Sequence, residues 1–403
     1  MRRRLCAWWL AGCLLLAAGC YDAREMNHLA LVVAVGIDKV PETGRYLVTA
    51  QIARPGSGKG SRGGGGGDAS GGAPVYIASG DGDTLFAAIR NLAEFVSRRI
   101  MWAHNNVVVV GESVAREDLT PVMDFFTRNQ ELRMRTWIVV AKGTEARQIV
   151  ALRTGIEQVP ADSISALFRY AQLPGESVRS DVNEVAAAYF GPDVHPVIAA
   201  MSIQDRAYQL SDQVEKPMLP QAELAGTAII NRNRVVGYVQ RGTGRGLLWL
   251  RRQLENPALE VPCPPGYDGQ ISVEVRSPKV QIRSFLTRNA PSFQVQVQSV
   301  AWLTEQDCAT NTLTTSQLKT HVEQALDRKI KQEIEATLQV LQGDLKTDAI
   351  RFGRLVHIQH PQWWRANRER WEELFPTSKV TVTVQTRIPK MGLYVRPMRL
   401  HSP

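Results

Sequence analysis

The hydrophobic pattern of the chain opens with two strands. Residues 29–37 form an apolar run broken by one glycine, and apolar residues then alternate with others at Tyr46, Val48, Ala50 and Ile52. A continuous apolar run is typical of a buried strand, and a period of two is typical of a strand with one buried face. We therefore predict two neighbouring strands joined by a turn over residues 38–44.

Helical and strand patterns alternate further along. Apolar side chains recur three and four positions apart after Thr84, and Asp83 or Thr84 can cap the first turn of this helix. We predict strands at 107–110, 135–141 and 196–203, and helices at 114–126, 144–152, 162–171 and 181–190. Such alternation is typical of a mixed sheet covered by helices, so residues 20–205 are predicted to form an α/β-type domain.

Beyond the proline-containing segment 217–220 the pattern indicates antiparallel strands. We predict a hairpin over 224–239, a short helix at 246–254, and successive strands at 271–276, 280–286 and 293–303. The first part of this region, residues 206–290, is predicted to be a middle α+β domain.

The last part of the chain contains a long helix. Apolar residues form one broad stripe from Leu318 to Leu341, which predicts a helix at 316–342 that covers a sheet. Pro361 opens a second helix, and alternating valines from Val380 form a closing strand. Residues 291–403 are predicted to be a C-terminal α+β domain. The predicted fold class is therefore α+β, with three domains of mixed or antiparallel β-sheets packed with helices.

The first twenty residues have the pattern of an export signal. Arginines at positions 2–4 precede an apolar run that ends at Ala18, and small residues lead to Cys20. The run is shorter than the roughly 20 residues that a membrane-spanning helix needs. Residues 1–19 are therefore predicted to be a lipoprotein signal peptide. The segment 16–20 resembles a lipobox, in which the cysteine thiol receives a diacylglycerol and becomes the new N-terminus.

Two alternatives stay open for the N-terminus. Cys13 follows a leucine at the first lipobox position, but only about six apolar residues precede the motif, fewer than the roughly 7–15 of a usual signal peptide. The other alternative is an uncleaved helix or plain secretion. All of these interpretations place the rest of the chain outside the cytoplasm.

A glycine-rich segment interrupts the first predicted domain. Residues 56–73 are predicted to be a flexible loop, and the segment 58–60 lacks the Ser or Thr that follows the lysine of a phosphate-binding loop. The net charge of +9 favours an anionic surface as partner. No spacing typical of a nucleic-acid-binding motif is present, so nucleic acid is not expected as a partner.

Few other residues in the sequence suggest a catalytic, metal-binding or ligand-binding site. Removal of the signal peptide leaves Cys263 and Cys308 in the folded body, and both a disulfide and two separate buried thiols stay open. His357 and His360 lack the glutamate of a helical zinc motif. His104 is expected to be a buried, hydrogen-bonded histidine that could face Glu112. The tryptophans are expected to be core rather than a ligand platform at positions 302, 363, 364 and 371.

Short motifs along nearly the whole chain resemble the Ger(x)C family of spore germination lipoproteins. The N-terminal matches are Gly19-Cys20-Tyr21-Asp22, Glu25-Met26-Asn27 and the strand 33–38. Further matches are Gly80, Thr84, His104, 111–112, 124–133, 141–143, 226–228, 236–238, Asp348, 352–353, Trp371 and 388–392. Tyr21 stands where the family usually has Trp, and Met26 stands where it has Leu.

The resemblance implies a C-type subunit of a nutrient germinant receptor with three α+β domains. A lipid on Cys20 would hold it on the outer face of the spore inner membrane, beside the integral-membrane A and B subunits. It would act in assembly and signalling rather than as an enzyme, with no cofactor and no metal. We expect candidate partner contacts near the membrane at Asp22, Glu25 and Asn27, with simple linker residues as the alternative.

Two other classes of function stay open. An extracytoplasmic solute-binding lipoprotein would need two lobes around a polar cleft. A cell-wall hydrolase would need a pair of acidic residues, and the sequence offers none that we could nominate.

Overall fold

The computed structural model describes most of the chain after the predicted signal peptide. The described residues are 28–54, 74–152, 156–157, 159–171, 175–191, 194–207, 218–287, 290–308 and 315–389. Four residues with predicted roles lie outside them, namely Cys20, Asp22, Glu25 and Asn27. The predicted glycine-rich loop at 56–73 also lies outside them.

The described residues form two sheets, and the first has nine strands. Their spatial order is β3-β2-β1-β5-β6-β7-β8-β9, and the short β4 pairs with β1. The strands are β1 (Leu29–Lys39), β2 (Tyr46–Ala53), β3 (Val75–Gly82), β4 (Arg99–Met101), β5 (Val107–Gly111), β6 (Trp137–Ala141), β7 (Val197–Ala207), β8 (Leu219–Asn231) and β9 (Arg234–Val239). The strands predicted from the apolar run at 29–37 and the alternation after it are confirmed as the antiparallel pair β1 and β2.

The centre of this sheet is parallel and its flanks are antiparallel. Strands β1, β5, β6 and β7 run in the same direction, whereas β2, β3, β8 and β9 alternate. Parallel strands are normally covered on both faces, and every residue of β5 is buried accordingly. The covering helices are α1 (Leu85–Leu92), α2 (Glu112–Glu117), α3 (Thr120–Arg128), α4 (Ala146–Ala151), α5 (Pro160–Tyr170) and α6 (Val182–Tyr189).

Local signals explain where these helices begin. The Thr84 side chain accepts a hydrogen bond from the Ala87 N–H, so the predicted cap of α1 is confirmed. The single helix predicted at 114–126 is wrong, because the chain forms α2 and α3 instead. Asp118 between them is extended, its carboxylate accepts from the Thr120 N–H, and Pro121 lies in the first turn of α3. These groups end one helix and start the next.

The second sheet has four strands in the order β10-β11-β12-β13. The strands are β10 (Ala258–Pro262), β11 (Gln270–Thr287), β12 (Ala290–Gln306) and β13 (Lys379–Arg387). The accompanying helices are α7 (Arg241–Arg251), α8 (Thr315–Gln339), α9 (Phe352–Gln359), α10 (Pro361–Asn367) and α11 (Trp371–Thr377). The long helix predicted at 316–342 corresponds to α8, which continues into a π-helical turn at Val340–Asp344.

The strand pairing does not follow the predicted domain boundaries. The boundary at 205/206 falls within β7, which pairs with β8 in the first sheet. The boundary at 290/291 falls at the start of β12, which pairs with β11 along almost its whole length. The two strands predicted at 271–276 and 280–286 are in fact the single strand β11, bent by an irregularity where Ser277 has a φ of 49°. The three-domain division stays a prediction.

Three of the four tryptophans expected in the core are buried there. Trp363, Trp364 and Trp371 are buried among α10, α11 and neighbouring aromatic rings. Trp302 is 47% exposed, so its assignment to the core is wrong. It lies on the outer face of β12, since the adjacent Ala301 is buried, and the Arg276 guanidinium lies 4.2 Å from its ring centre.

A disulfide joins Cys263 and Cys308, with their Cα atoms 5.9 Å apart. Cys263 follows β10 and Cys308 follows β12, so the bond links the ends of two strands that flank β11. Of the two alternatives left open by the sequence, the pairing is therefore the correct one.

Helices α7 and α8 connect the two sheets. The chain enters α7 directly from β9 of the first sheet, whereas α8 packs on the second sheet. A Cβ atom on Gly246 of α7 would lie only 2.2 Å from the carbonyl oxygen of Glu333, so the helices meet at backbone distance. Beside this contact the Arg245 guanidinium forms a two-pronged ion pair with the Glu333 carboxylate, with the closest atoms 2.5 Å apart.

Glu333→Gln removes one charge of this buried pair. We expect the free energy of unfolding to fall by about 3 kcal/mol, because the Arg245 charge stays buried without a counter-charge. Urea denaturation measures the change. The matched control is Glu335→Gln on the same helix, whose exposed partner Lys331 lies 3.8 Å away, and its effect should be below about 0.5 kcal/mol. Equal effects of the two variants would show that the buried pair is not a main connection between the sheets.

Candidate functional site

Polar side chains follow three neighbouring strands at one edge of the first sheet. Asp38 lies near the end of β1, Glu112 directly follows β5, and Lys142 directly follows β6. Because these strands are parallel, their carboxyl ends meet at the same edge. We call this the carboxyl edge.

Asp38 holds the start of α4. Its two carboxylate oxygens accept hydrogen bonds from the Ala146 and Arg147 N–H groups, both at 2.8 Å. Burial raises the pKa of this carboxyl, and the two backbone donors oppose that effect. A Cβ atom on Gly111 would lie 2.2 Å from the Asp38 carboxylate, so only glycine fits beside it. The Asp38 carboxylate therefore holds the first turn of α4 in place.

Glu112 is the centre of a second set of contacts. One carboxylate oxygen accepts from the Gly143 N–H at 2.7 Å, and the other accepts from Arg116 at 2.8 Å and from the Tyr238 hydroxyl at 3.1 Å. Burial by itself would raise the pKa of Glu112, but these three donors outweigh it and lower the pKa. The carboxylate joins α2, β9 and the loop after β6.

Tyr238 lies between two cations. The Arg116 guanidinium is 5.5 Å and the Lys142 ammonium 5.2 Å from its ring centre, and Lys142 also donates to the Gln240 side chain. Burial raises the pKa of Tyr238, and the adjacent Glu112 charge raises it further. The phenol therefore stays protonated and donates its hydrogen bond to Glu112.

His104 and Glu112, which the sequence suggested could face each other, lie apart in the structure. His104 is exposed and lies in the loop before β5, whereas Glu112 follows β5 at the opposite end of that strand. The expectation of a buried, hydrogen-bonded His104 is therefore wrong. No sequence signal pointed to Tyr238 as the partner of Glu112, because 126 positions separate them and the contact depends on how β9 joins the sheet.

The buried carboxylate of Asp348 organises the helices of the second sheet. Asp348 accepts hydrogen bonds from the Phe352 N–H at 3.0 Å, the Gly353 N–H at 2.6 Å and the Trp371 indole N–H at 3.0 Å. Burial raises the pKa of Asp348 despite these donors. Gly353 is required because a Cβ atom there would lie 2.9 Å from the Trp371 ring nitrogen.

The helices near Asp348 are also tied to the first sheet. Arg251 of α7 is buried, donates to the Ala349 carbonyl at 2.7 Å and lies 3.5 Å from the Glu184 carboxylate of α6. Arg351 lies 2.9 Å from the same carboxylate. Burial lowers the pKa of Arg251, and the neighbouring Arg351 charge contributes to the same effect.

The two histidines with three-residue spacing have structural contacts. The His360 ring nitrogen lies 3.2 Å from the Ser284 carbonyl, and the His357 ring stacks on Trp364 at 5.9 Å between centres. Over the described ranges, no three His, Cys, Asp or Glu side chains converge to hold a metal ion.

Among the helices that the structure describes, none combines the length and the apolar composition that crossing a bilayer requires.

In the described residues, buried carboxylates accept hydrogen bonds from backbone N–H groups and join elements of a two-sheet α+β scaffold. Two family models match this chain in succession. The spore germination protein N-terminal domain matches residues 22–203, and the C-terminal domain described as spore germination B3/GerAC-like matches residues 225–392. The chain belongs to this spore germination family, so the resemblance to Ger(x)C lipoproteins is confirmed.

Individual relatives agree with the family match. Spore germination protein KC of Bacillus subtilis is 27% identical over 99% of this chain and 98% of the relative. Spore germination protein B3 of the same organism is 22% identical over 94% and 96%, respectively. The crystal structure of the GerBC protein superimposes with a TM-score of 0.57 at 18% identity, covering 88% of this chain and 97% of that structure. The GerBC likeness confirms the predicted α+β fold class.

Glu112→Gln tests the electrostatic role of the carboxyl edge. The pKa of Glu112 is lower in the folded than in the unfolded chain, so its charge stabilises the fold above the unfolded pKa of about 4.3 and stops doing so as pH falls through the folded value. We expect the variant to be less stable by about 1 kcal/mol at pH 7, with a smaller difference below pH 4.

Urea denaturation of both proteins across this pH range measures the difference. Glu117→Gln on the same helix is the matched control, since Glu117 is 61% exposed beside Lys39 and should change stability by less than about 0.5 kcal/mol at pH 7. A Glu112→Gln difference that is independent of pH would contradict the assigned role of the charge.

Proposed function

We propose that this protein is the lipid-anchored, non-catalytic C-type subunit of a spore nutrient germinant receptor. Diacylglycerol on Cys20 anchors it to the outer face of the spore inner membrane, where it acts in receptor assembly and germination signalling. Its partners are the integral-membrane A and B subunits. The family match over residues 22–203 and 225–392 supports this role in germination.

One structural observation carries the non-catalytic part of the proposal. The polar residues at family positions are occupied in holding the scaffold together: Asp38 and Asp348 bind backbone N–H groups, and Glu112 joins three elements. A catalytic carboxylate has to be accessible to substrate, whereas Asp38 and Asp348 are almost completely buried. This structural use of the polar residues supports a protein that acts by binding partners through its surface.

Cys20→Ala tests the anchor. We expect spores that carry only this variant to lose most of their response to the nutrient that the receptor recognises, because the subunit no longer stays at the membrane. Germination on single nutrients and the amount of protein in the spore membrane fraction are measured together.

Cys13→Ala is the matched control, since Cys13 is the alternative lipobox cysteine within the predicted signal peptide. It should germinate and fractionate as the wild type. A Cys13→Ala defect with a normal Cys20→Ala strain would move the anchor to Cys13. Normal germination of a full deletion on every nutrient, with paralogues also deleted, would refute the receptor assignment.

We propose that Asp22, Glu25 and Asn27 contact the membrane subunits. They lie within seven positions after Cys20, so the proposed lipid anchor keeps them close to the bilayer surface where those subunits lie. The triple variant Asp22→Asn, Glu25→Gln, Asn27→Ala should reach the membrane fraction in normal amount but co-purify with the A and B subunits at a level reduced severalfold. Unchanged co-purification would identify the segment as a simple linker.

A further inference from the structure

The edge of the first sheet opposite the carboxyl edge lies where the chain enters the fold. β1 begins at Leu29, nine positions after Cys20. β4 lies beside it in parallel, and Leu29 pairs with Arg99. The end of β2 and the start of β3 lie at this edge too, since Ala53 pairs with both Leu31 and Val75. We call it the amino edge.

Aromatic side chains are exposed at the amino edge. Phe95 is 53% exposed in the turn between α1 and β4, and Tyr76 is 39% exposed on β3. Both line a cavity of about 480 Å³ together with Leu29, Arg54 and Arg98. Exposed rings grouped around a concave, partly apolar surface indicate a contact site rather than scattered surface residues.

The charged groups at this edge favour an anionic partner. In the part of the chain that the structure describes, no carboxylate lies within 4 Å of Arg98, whereas Arg99 lies 3.8 Å from Glu131. The Arg54 guanidinium lies 5.7 Å from the Tyr76 ring centre, which keeps this cation beside the exposed aromatic surface. Glu94 is the one acidic residue in the exposed turn at 93–99.

We propose that the amino edge docks on the surface of an anionic phospholipid membrane. The rings of Phe95 and Tyr76 enter the headgroup region, and the guanidinium groups of Arg98 and Arg99 donate hydrogen bonds to lipid phosphates. The two acyl chains of the proposed diacylglycerol hold the protein at the bilayer, and such a surface adds electrostatic attraction that fixes its orientation there.

The short stretch of chain between Cys20 and β1 supports a membrane as the partner of the amino edge. The nine residue steps from Cys20 to Leu29 span at most about 32 Å when fully extended, so a lipid on Cys20 keeps the amino edge within that distance of the bilayer. This step rests on the proposed anchor, whereas the exposed rings and arginines do not. Because β1 has 11 residues, the carboxyl edge with Glu112 and Tyr238 lies about 35 Å from the amino edge along the strand direction.

Vesicle binding by the protein without its lipid tests the proposal. The chain from residue 20 onward, carrying Cys20→Ser, is sedimented with vesicles of equal parts phosphatidylglycerol and phosphatidylcholine, and with vesicles of phosphatidylcholine alone. We expect binding to the anionic vesicles that decreases with added salt, and at least tenfold weaker binding to the neutral ones.

Two double variants separate the amino edge from the overall charge of the protein. Arg98→Glu with Arg99→Glu should weaken binding to anionic vesicles at least tenfold, and Phe95→Ser should weaken it severalfold. Arg365→Glu with Arg368→Glu makes the same charge change at exposed positions of the second-sheet region and should alter binding less than twofold. Circular dichroism confirms that each variant is folded.

Two other outcomes would overturn the proposal that the amino edge docks on a membrane. No binding of the folded wild type to anionic vesicles would exclude lipid and leave a protein partner as the occupant of the amino edge. Equal losses in both double variants would show attraction through net charge alone. Neither result depends on lipidation or germination. The spore experiments therefore test the proposed receptor role independently of the vesicle experiments.

Discussion

The contact between α7 and α8 is the constraint on which the arrangement of the two sheets depends. α7 continues from the last strand of the first sheet, and α8 covers the second sheet, so their separation sets how the sheets meet. Gly246 allows the backbones to touch, and the Arg245–Glu333 pair fills the buried space beside them. A buried ion pair tolerates little displacement, because separating the charges leaves each without solvent or partner.

The same physical rule explains the polar residues that the sequence pattern made conspicuous. Buried carboxylates are stable only where donors surround them, and Asp38 and Asp348 obtain those donors from backbone N–H groups, as the partly buried Glu112 does from backbone and side-chain donors of distant elements. Each carboxylate therefore joins parts of the scaffold. In the receptor role that we propose, the protein acts through the surfaces that this scaffold presents.

Those surfaces differ between the two ends of the parallel strands. The carboxyl edge pairs its charges, as in Lys39 with Glu117 and Arg116 with Glu112, and holds Tyr238 among them. The amino edge exposes Phe95 and leaves Arg98 without a carboxylate in the described residues. In the docking that we propose, this polarity orients the molecule along its strands, with the paired charges away from the lipid.

Elements whose signals are local could be predicted from the amino-acid sequence. The apolar run of β1, the Thr84 cap of α1 and the stripe of α8 each depend on neighbours within a few positions. The family could also be inferred from short motifs in order. Tertiary structure alone decided which strands share a sheet, that Cys263 meets Cys308, and that Glu112 meets Tyr238. These contacts join residues that are far apart in the chain, and they depend on strand order and register, which no local periodicity encodes.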